Sequence, residues 1–141
     1  MRPDFRAGAT NATSVCLGIT RTDRVAVIRN AGAPAIADAI EEQVSALGAV
    51  VSSWNMDEVL KRPVGHLPAA LGQQLREFRP TASYYIGNVL PGEVRFRQEL
   101  IRLITVDLRC RHGHMPGIDE RLMLDGMAAD YDEIYRITRA V

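Results

Sequence analysis

Cysteine and lysine are scarce in this chain, and charge of neither sign predominates. Its 141 residues contain two cysteines, Cys16 and Cys110, which lie far apart and outside any CxxC spacing. A disulfide framework is therefore excluded, and a reducing cytoplasm is the expected location. Seventeen basic residues, all Arg except Lys61, balance seventeen acidic ones. Proteins that neutralise phosphates usually carry a basic excess or stripe, so we expect no nucleic-acid partner.

Long apolar runs are missing as well. No segment approaches the roughly 18–20 apolar residues that span a bilayer. The charged opening, residues 1–6, is not followed by the apolar core that a secretory signal requires. The sequence therefore predicts neither membrane association nor export.

The common cofactor motifs do not occur. Neither G-x-G-x-x-G nor G-x-x-x-x-G-K-[ST] is present, so dinucleotide and nucleotide binding are not expected. No G-x-S-x-G elbow marks a hydrolase nucleophile. Residues 30–34, whose backbone N–H groups might face an anion, are interpreted as a plain tight turn between a strand and a helix. We predict no bound cofactor.

The composition is that of a globular protein. Apolar residues make up 47% and charged residues 24% of the chain, as in ordinary soluble domains. The β-branched run 24–29 predicts a buried strand, and apolar positions at steps of three and four predict a helix over 33–47 that ends before Gly48. Residues 49–54 predict a second strand. Strand, helix and strand in this order indicate a right-handed βαβ unit.

The alternation continues along the chain. Residues 1–10 are interpreted as a loose N-terminal arm, followed by a short helix that ends near Gly18. The other predicted elements are a helix over 67–78, a strand over 82–87, a helix over 91–108, a strand over 109–115, a helix over 118–127 and a last helix opened by the D-x-x-E box of 130–133. The pattern predicts one α/β domain over 1–141, a doubly wound, Rossmann-like sheet of about four parallel strands with helices on both faces.

The densest cluster of reactive side chains lies on the last predicted strand. Because strand side chains alternate, Cys110, His112 and His114 are expected on one face, close to the end of the sheet where ligands bind. Thiolate and imidazole are good zinc ligands, so a metal site is one interpretation, although no fourth ligand can be identified. The other interpretations of this cluster are a structural role and contact with a substrate. A Cys110–His112 nucleophile pair lacks a third group to orient the base, and no complete active site is predicted.

The same region resembles a known family. Residues 109–118 read RCRHGHMPGI and are followed by DGM at 125–127 and DYDEI at 130–134. This order is similar to the N-terminal half of the thermophilic-type, metal-dependent leucyl aminopeptidases, the aminopeptidase T and aminopeptidase S family. Further matches are LGI at 17–19, DRVAVI at 23–28, LGA at 47–49, PGE at 91–93 and Arg97. The resemblance covers about residues 15–139.

The resemblance implies a domain that does not itself catalyse hydrolysis. In that family Glu, His, Tyr and Asp side chains of the C-terminal half hold a pair of metal ions, so no metal ligand is carried over to this chain. The implied role is to shape a substrate cleft or a dimer interface beside a catalytic domain. His112, His114 and Cys110 are the residues expected to face that cleft.

Two other classes of function stay open. The chain is alternatively a stand-alone module that binds a small molecule, a peptide or a protein partner without catalysis. A third interpretation is a small metalloenzyme that uses Cys110, His112 and His114. The expected partners are a second copy of the chain, in a homo-oligomer, or a separate catalytic domain.

Overall fold

The computed structural model describes residues 4–130, which form one parallel β-sheet with helices on both faces. In chain order the strands are β1 (Arg24–Arg29), β2 (Val50–Asn55), β3 (Ala82–Gly87) and β4 (Arg111–Pro116). The helices are α1 (Arg6–Thr10), α2 (Pro34–Ala46), α3 (Met56–Val59), α4 (Ala69–Phe78) and α5 (Val94–Arg102). π-helical turns lie at Asn11–Val15, Leu103–Asp107 and Leu122–Gly126. The spatial strand order is β2-β1-β3-β4 and all pairs are parallel, which confirms the predicted doubly wound α/β fold.

The central strands β1 and β3 are apolar on both faces, as strands covered by helices on both sides must be. On one face Val27 and Tyr84 pack in a layer with α1 and α2. On the other, Ile28 and Tyr85 pack in a layer with α4 and α5. Full burial of one such side chain is worth about 1.5–3 kcal/mol relative to exposure. These two layers therefore fix the sheet between the helices.

The amino-terminal segment differs from the prediction of a loose arm over 1–10. Phe5 is 5% exposed and Ala9 is 1% exposed, and both belong to the apolar layer that includes α2. Gly8 lies so close to Met123 that a Cβ at this position would collide with the Met123 carbonyl. Residues 4–10 are thus part of the domain, because Phe5 supplies an anchor in an otherwise small and polar segment.

The carboxyl-terminal helices differ as well. Half of the predicted helix over 118–127 is a π-helical turn, Leu122–Gly126. The last predicted helix was expected to begin at the box over 130–133. From residue 131 onward, this prediction lies outside the described residues. The sequence does not predict α3, since four residues are too few to show a helical period. Within residues 4–130, no helix combines the length and the apolar character that a bilayer crossing needs.

The strand order determines where a ligand site can form. The connection that follows β1 runs through α2 on one face, and the connection that follows β3 runs through α5 on the other. The carboxyl ends of β1 and β3 therefore form the topological switch point. This is the crevice in which open parallel sheets bind their ligands.

Candidate functional site

Two asparagines of the chain itself fill the switch point. Asn30 follows β1 and is 1% exposed, and Asn88 follows β3. Oδ1 of Asn30 accepts hydrogen bonds from the backbone N–H groups of Gly32 (2.9 Å) and Asn88 (2.9 Å). Nδ2 of Asn30 donates to the Asn88 carbonyl (3.0 Å), to which the Tyr85 hydroxyl also donates (2.7 Å). The polar groups at the ends of these strands are thus paired with one another.

Two glycines make this close packing possible. A Cβ at Gly32 would overlap the backbone of Asn88, and a Cβ at Gly87 would overlap the side-chain amide of Asn30. Gly87 also has a φ of 155°, a conformation that side-chain-bearing residues rarely adopt. The strand ends can approach each other only because both positions lack a side chain.

A buried ion pair lies beside the two asparagines and contacts Asn88, which is itself exposed. Arg62 comes from the loop after α3, Glu93 immediately precedes α5, and their side chains are 8% and 0% exposed. Nη2 of Arg62 lies 2.7 Å from Oε1 of Glu93. Nη1 of Arg62 donates to Oδ1 of Asn88 (2.9 Å) and lies 3.3 Å from a carboxylate oxygen of Asp57. The ion pair therefore connects the two loops that close the carboxyl end of the sheet.

The charge of Glu93 is strongly stabilised. Burial alone would raise the pKa of its carboxyl group, but hydrogen bonds outweigh burial and lower the pKa to about 2. These bonds come from Arg62 and from the backbone N–H groups of Leu90 (2.9 Å) and Val64 (3.0 Å). Glu93 is therefore ionised throughout the neutral range, and its acceptors are engaged within the chain.

Open space lies elsewhere on the surface. A groove of about 600 Å³ lies between α1 and α2, where Phe5 and several alanines meet the acidic side chains of Asp38 and Glu42. None of the three candidate site residues from the sequence, Cys110, His112 and His114, lines this groove.

The predicted histidines form a second polar cluster, on the face of the sheet that α5 covers. The register of β4 beside β3 places His112 opposite Ser83 and His114 opposite Tyr85. Nδ1 of His112 lies 2.7 Å from the Ser83 hydroxyl, and Nε2 of His112 lies 3.1 Å from Nδ1 of His114. Nε2 of His114 lies 3.4 Å from Nη1 of Arg97 on α5. We call Ser83, His112, His114 and Arg97 the histidine relay.

The direction of the histidine relay follows from Arg97. A guanidinium can only donate, so Nε2 of His114 accepts, and in the neutral ring Nδ1 carries the proton. That proton is donated to Nε2 of His112, so His112 also carries its proton on Nδ1 and donates to the Ser83 oxygen. Both rings are therefore neutral Nδ1–H tautomers.

Burial and charge keep the two rings neutral. Burial, together with the neighbouring His114, lowers the pKa of His112 to about 4. Burial and the charge of Arg97 also lower the pKa of His114. The ring of Tyr85 packs against His114 with 5.0 Å between centroids. At neutral pH the relay is thus a series of directed hydrogen bonds that carries charge only at its Arg97 end.

NMR spectroscopy can check this assignment. We expect the imidazole ¹⁵N shifts to report Nδ1–H tautomers for both histidines at neutral pH, and His112 to titrate near pH 4. In the unfolded chain the same ring titrates near its ordinary pKa of 6.5. The folded-state pKa is the lower one, so the stability gained from neutral His112 is present above pH 6.5 and is lost as the pH falls towards 4. An Nε2–H tautomer for His112 in the wild-type chain would contradict the relay.

Cys110 does not join the histidines. It immediately precedes β4, is 6% exposed, and packs in the layer of α4 and α5. Its thiol donates to the Pro80 carbonyl at 3.0 Å, and burial raises its pKa, so the thiol stays protonated. Within residues 4–130, no three His, Cys, Asp or Glu side chains are grouped as ligands for a metal ion. The structure confirms that His112 and His114 share a face, on which Cys110 also packs, whereas their exposure to a cleft stays a prediction.

The sequence interpretation missed the residues that fill the switch point. The available signal for Asn30 and Asn88 is the pairing of asparagine with glycine at the strand ends, N-A-G at 30–32 and G-N at 87–88. No comparable signal exists for the ion pair, because Arg62 and Glu93 are 31 positions apart and meet only through the fold.

The fold and its site define a doubly wound α/β domain whose switch point is closed by its own side chains. No protein-family model matches the chain, and a search of curated proteins gives no match.

Proposed function

We propose that this chain is a non-catalytic α/β domain, similar to the N-terminal domain of the metal-dependent leucyl aminopeptidases, that shapes a substrate cleft or a subunit interface. The filled switch point carries the proposal. Asn30 and Asn88 pair across the crevice, and Arg62, which is paired with Glu93, donates to the exposed Asn88 side chain. A crevice closed by the chain's own side chains provides a firm surface for a neighbouring domain or subunit.

The histidine relay also favours a non-catalytic role. A general base needs a nitrogen that is free to take a proton from the reacting group. In His114 that nitrogen already accepts from Arg97, and in His112 it already accepts from His114. These bonds suit two rings that hold their neighbours in position.

A stand-alone ligand-binding module is the second candidate, and one observation favours it. Arg97, which is partly buried, has no carboxylate partner within residues 4–130, whereas Arg29 and Arg62 each pair with two and Arg111 pairs with one. Carboxylate and phosphate are the groups that a guanidinium recognises, so a ligand with such a group is the kind that this candidate would bind.

Activity, metal content and solution mass of the purified chain test the proposal together. We expect no hydrolysis of leucyl-p-nitroanilide with added zinc, cobalt or manganese, no stoichiometric metal in elemental analysis, and a mass in solution above that of a monomer. His112→Ala should leave the absence of turnover unchanged, as should the control variant His66→Ala, which alters an exposed histidine. Enzyme-like turnover with bound metal, lost in His112→Ala and kept in His66→Ala, would sink the proposal in favour of a metalloenzyme.

A further inference from the structure

The outer edge of β2 presents backbone groups that no strand of residues 4–130 pairs with. In a parallel pair, alternate residues of a strand bond to one neighbour. The N–H of Val50 donates to the carbonyl of Asp23, which directly precedes β1 (3.1 Å), so the even-numbered residues of β2 bond to β1. The N–H and C=O groups of Val51 and Ser53 therefore point away from the sheet, on the side where β2 has no second neighbour. This edge can accept one more strand.

β2 also lacks the features that usually keep an edge strand from pairing. Natural edge strands are protected by charged side chains, by proline or by a bulge. The six residues of β2, VVSSWN, include no charged residue and no proline, and their register with β1 is uninterrupted. The opposite edge strand, β4, contains the charged Arg111 and also Pro116, which has no N–H to donate. Of the two edges of the sheet, β2 is therefore the one that is open to pairing.

A groove of about 530 Å³ lies beside this edge, between β2 and α2. We call it the edge groove. The side chain of Asp38 is 49% exposed, and Glu42 and Ser53 are exposed. The groove and its polar groups are therefore accessible from solvent. Its lining residues are Asp38, Glu41, Glu42, Ser45, Val51 and Ser53.

The edge groove is negatively charged. Arg29 lies 2.7 Å from both Asp38 and Glu41, and within residues 4–130 no other basic side chain pairs with the carboxylates of the groove. One carboxylate oxygen of Glu41 has no hydrogen-bond partner in this part of the chain. Burial raises the pKa of Glu41, but Asp38 and Glu42 by themselves outnumber Arg29. The partner that complements this charge is basic.

The same charge argues against a second copy of the chain at this edge. Two copies would pair their β2 strands antiparallel about a two-fold axis, which places both α2 helices side by side on one face of the joined sheet. α2 contains Asp38, Glu41 and Glu42 but no basic residue. Like charges set against each other in an interface are unfavourable. A segment of a different, basic protein fits the edge groove better.

We propose that the outer edge of β2 binds an extended segment of a partner protein as a fifth strand, with Arg or Lys at alternate positions of that segment lying in the edge groove. Hydrogen bonds to the backbone of Val51 and Ser53 hold the segment, and its alternate side chains provide specificity. Every second residue of the added strand faces α2, because strand side chains alternate between the two faces. The surface does not depend on the proposed function, since it requires only β2 and α2.

The peptide acetyl-VRVRVRV-amide, titrated into the full chain, tests the surface by NMR. We expect saturable binding that slows hydrogen exchange of the Val51 and Ser53 amides about tenfold or more. The amides of His112 and His114, which lie on the outer edge of β4, should keep their exchange rates. Acetyl-VEVEVEV-amide, which has the same pattern and the opposite charge, should not bind.

Three variants separate pairing of the backbone from attraction of charge. Ser53→Pro removes an outward N–H but none of the bonds to β1, a change that edge strands tolerate, and it should abolish saturable binding. Glu42→Arg should weaken binding about tenfold. Glu77→Arg makes the same change of charge at an exposed position of α4 and should bind as the wild type does.

The outcomes that overturn the proposal are distinct. They are no saturable binding to the folded wild-type chain, binding that leaves exchange at Val51 and Ser53 unchanged, and undiminished binding to a folded Ser53→Pro variant. Slow exchange of both amides in the peptide-free chain overturns it as well, because the edge is then already occupied. In that case the mass in solution shows whether a second copy or another segment of the same chain is the occupant.

Discussion

Replacing Glu93 by Ala is expected to lower the free energy of unfolding by about 3–5 kcal/mol, because the substitution removes the buried partner of Arg62 and leaves it only the exposed carboxylate of Asp57, 3.3 Å away. The side chain of Arg62 is 8% exposed and would keep its charge in a protein interior. The backbone N–H groups of Val64 and Leu90 would lose their acceptor as well. Urea unfolding, monitored by circular dichroism, measures the loss.

Glu99→Ala is the matched control for this substitution. Glu99 lies on the same helix and pairs with Arg95 at 3.1 Å, but both side chains are exposed. Loss of an exposed pair of this kind costs about 0.5 kcal/mol or less. Equal losses for Glu93→Ala and Glu99→Ala would contradict the importance assigned to the buried pair.

The same ion pair predicts how stability depends on pH. The carboxyl of Glu93 has a pKa of about 2 in the folded chain against an ordinary value of 4.5. The folded-state pKa is the lower one, so its contribution is present above pH 4.5 and is lost as the pH falls towards 2. Glu93→Ala should flatten the stability curve in this range.

Replacing Gly87 by Ala is the second substitution for which we expect a large effect, a loss of about 3 kcal/mol. A methyl group at Gly87 would overlap the side-chain amide of Asn30 and force it out of the switch point. The substitution thus combines overpacking with the loss of buried hydrogen bonds, and each costs about 1–3 kcal/mol. Thermal and urea unfolding measure the effect.

Gly65→Ala provides the comparison for Gly87→Ala. A Cβ at Gly65 meets no atom within 4 Å, so its effect should stay within about 0.5 kcal/mol. If the Gly87→Ala and Gly65→Ala variants had equal free energies of unfolding, that result would contradict the close packing described at the switch point.

The strands could be predicted closely because their signals are local. The bounds predicted for β1 and β3 agree with the structure, since each is an apolar run with turn residues on either side. The common face of His112 and His114 follows from the alternation of strand side chains alone. These features need no knowledge of which strand lies beside which.

The contacts within the candidate site could not be predicted in this way. Ser83 meets His112 across 29 positions because β3 and β4 pair in one particular register. Arg97 reaches His114 only because α5 packs on that face of the sheet. Both contacts depend on tertiary arrangement, which composition and periodicity do not encode locally. The sequence did not predict α1 for a related reason. The segment is anchored by one large buried side chain, Phe5, and a single apolar residue gives no periodic signal.

In this domain, the segments that close the switch point are largely different from the segments that build the sheet and its apolar layers. The groups that close it come from Asn30 and from two connecting segments, 56–66 and 88–93. Most of the apolar layers lies on the strands and on α2, α4 and α5, although Met56 and Val64 of the first segment are also buried there. Loops tolerate insertion and exchange far better than the packed elements they join. A change confined to these two segments would open the crevice while leaving the strand register intact. A few changes in these segments would therefore distinguish a domain of this kind that binds a ligand from one that does not. Evolution can convert one form into the other without altering the packed core.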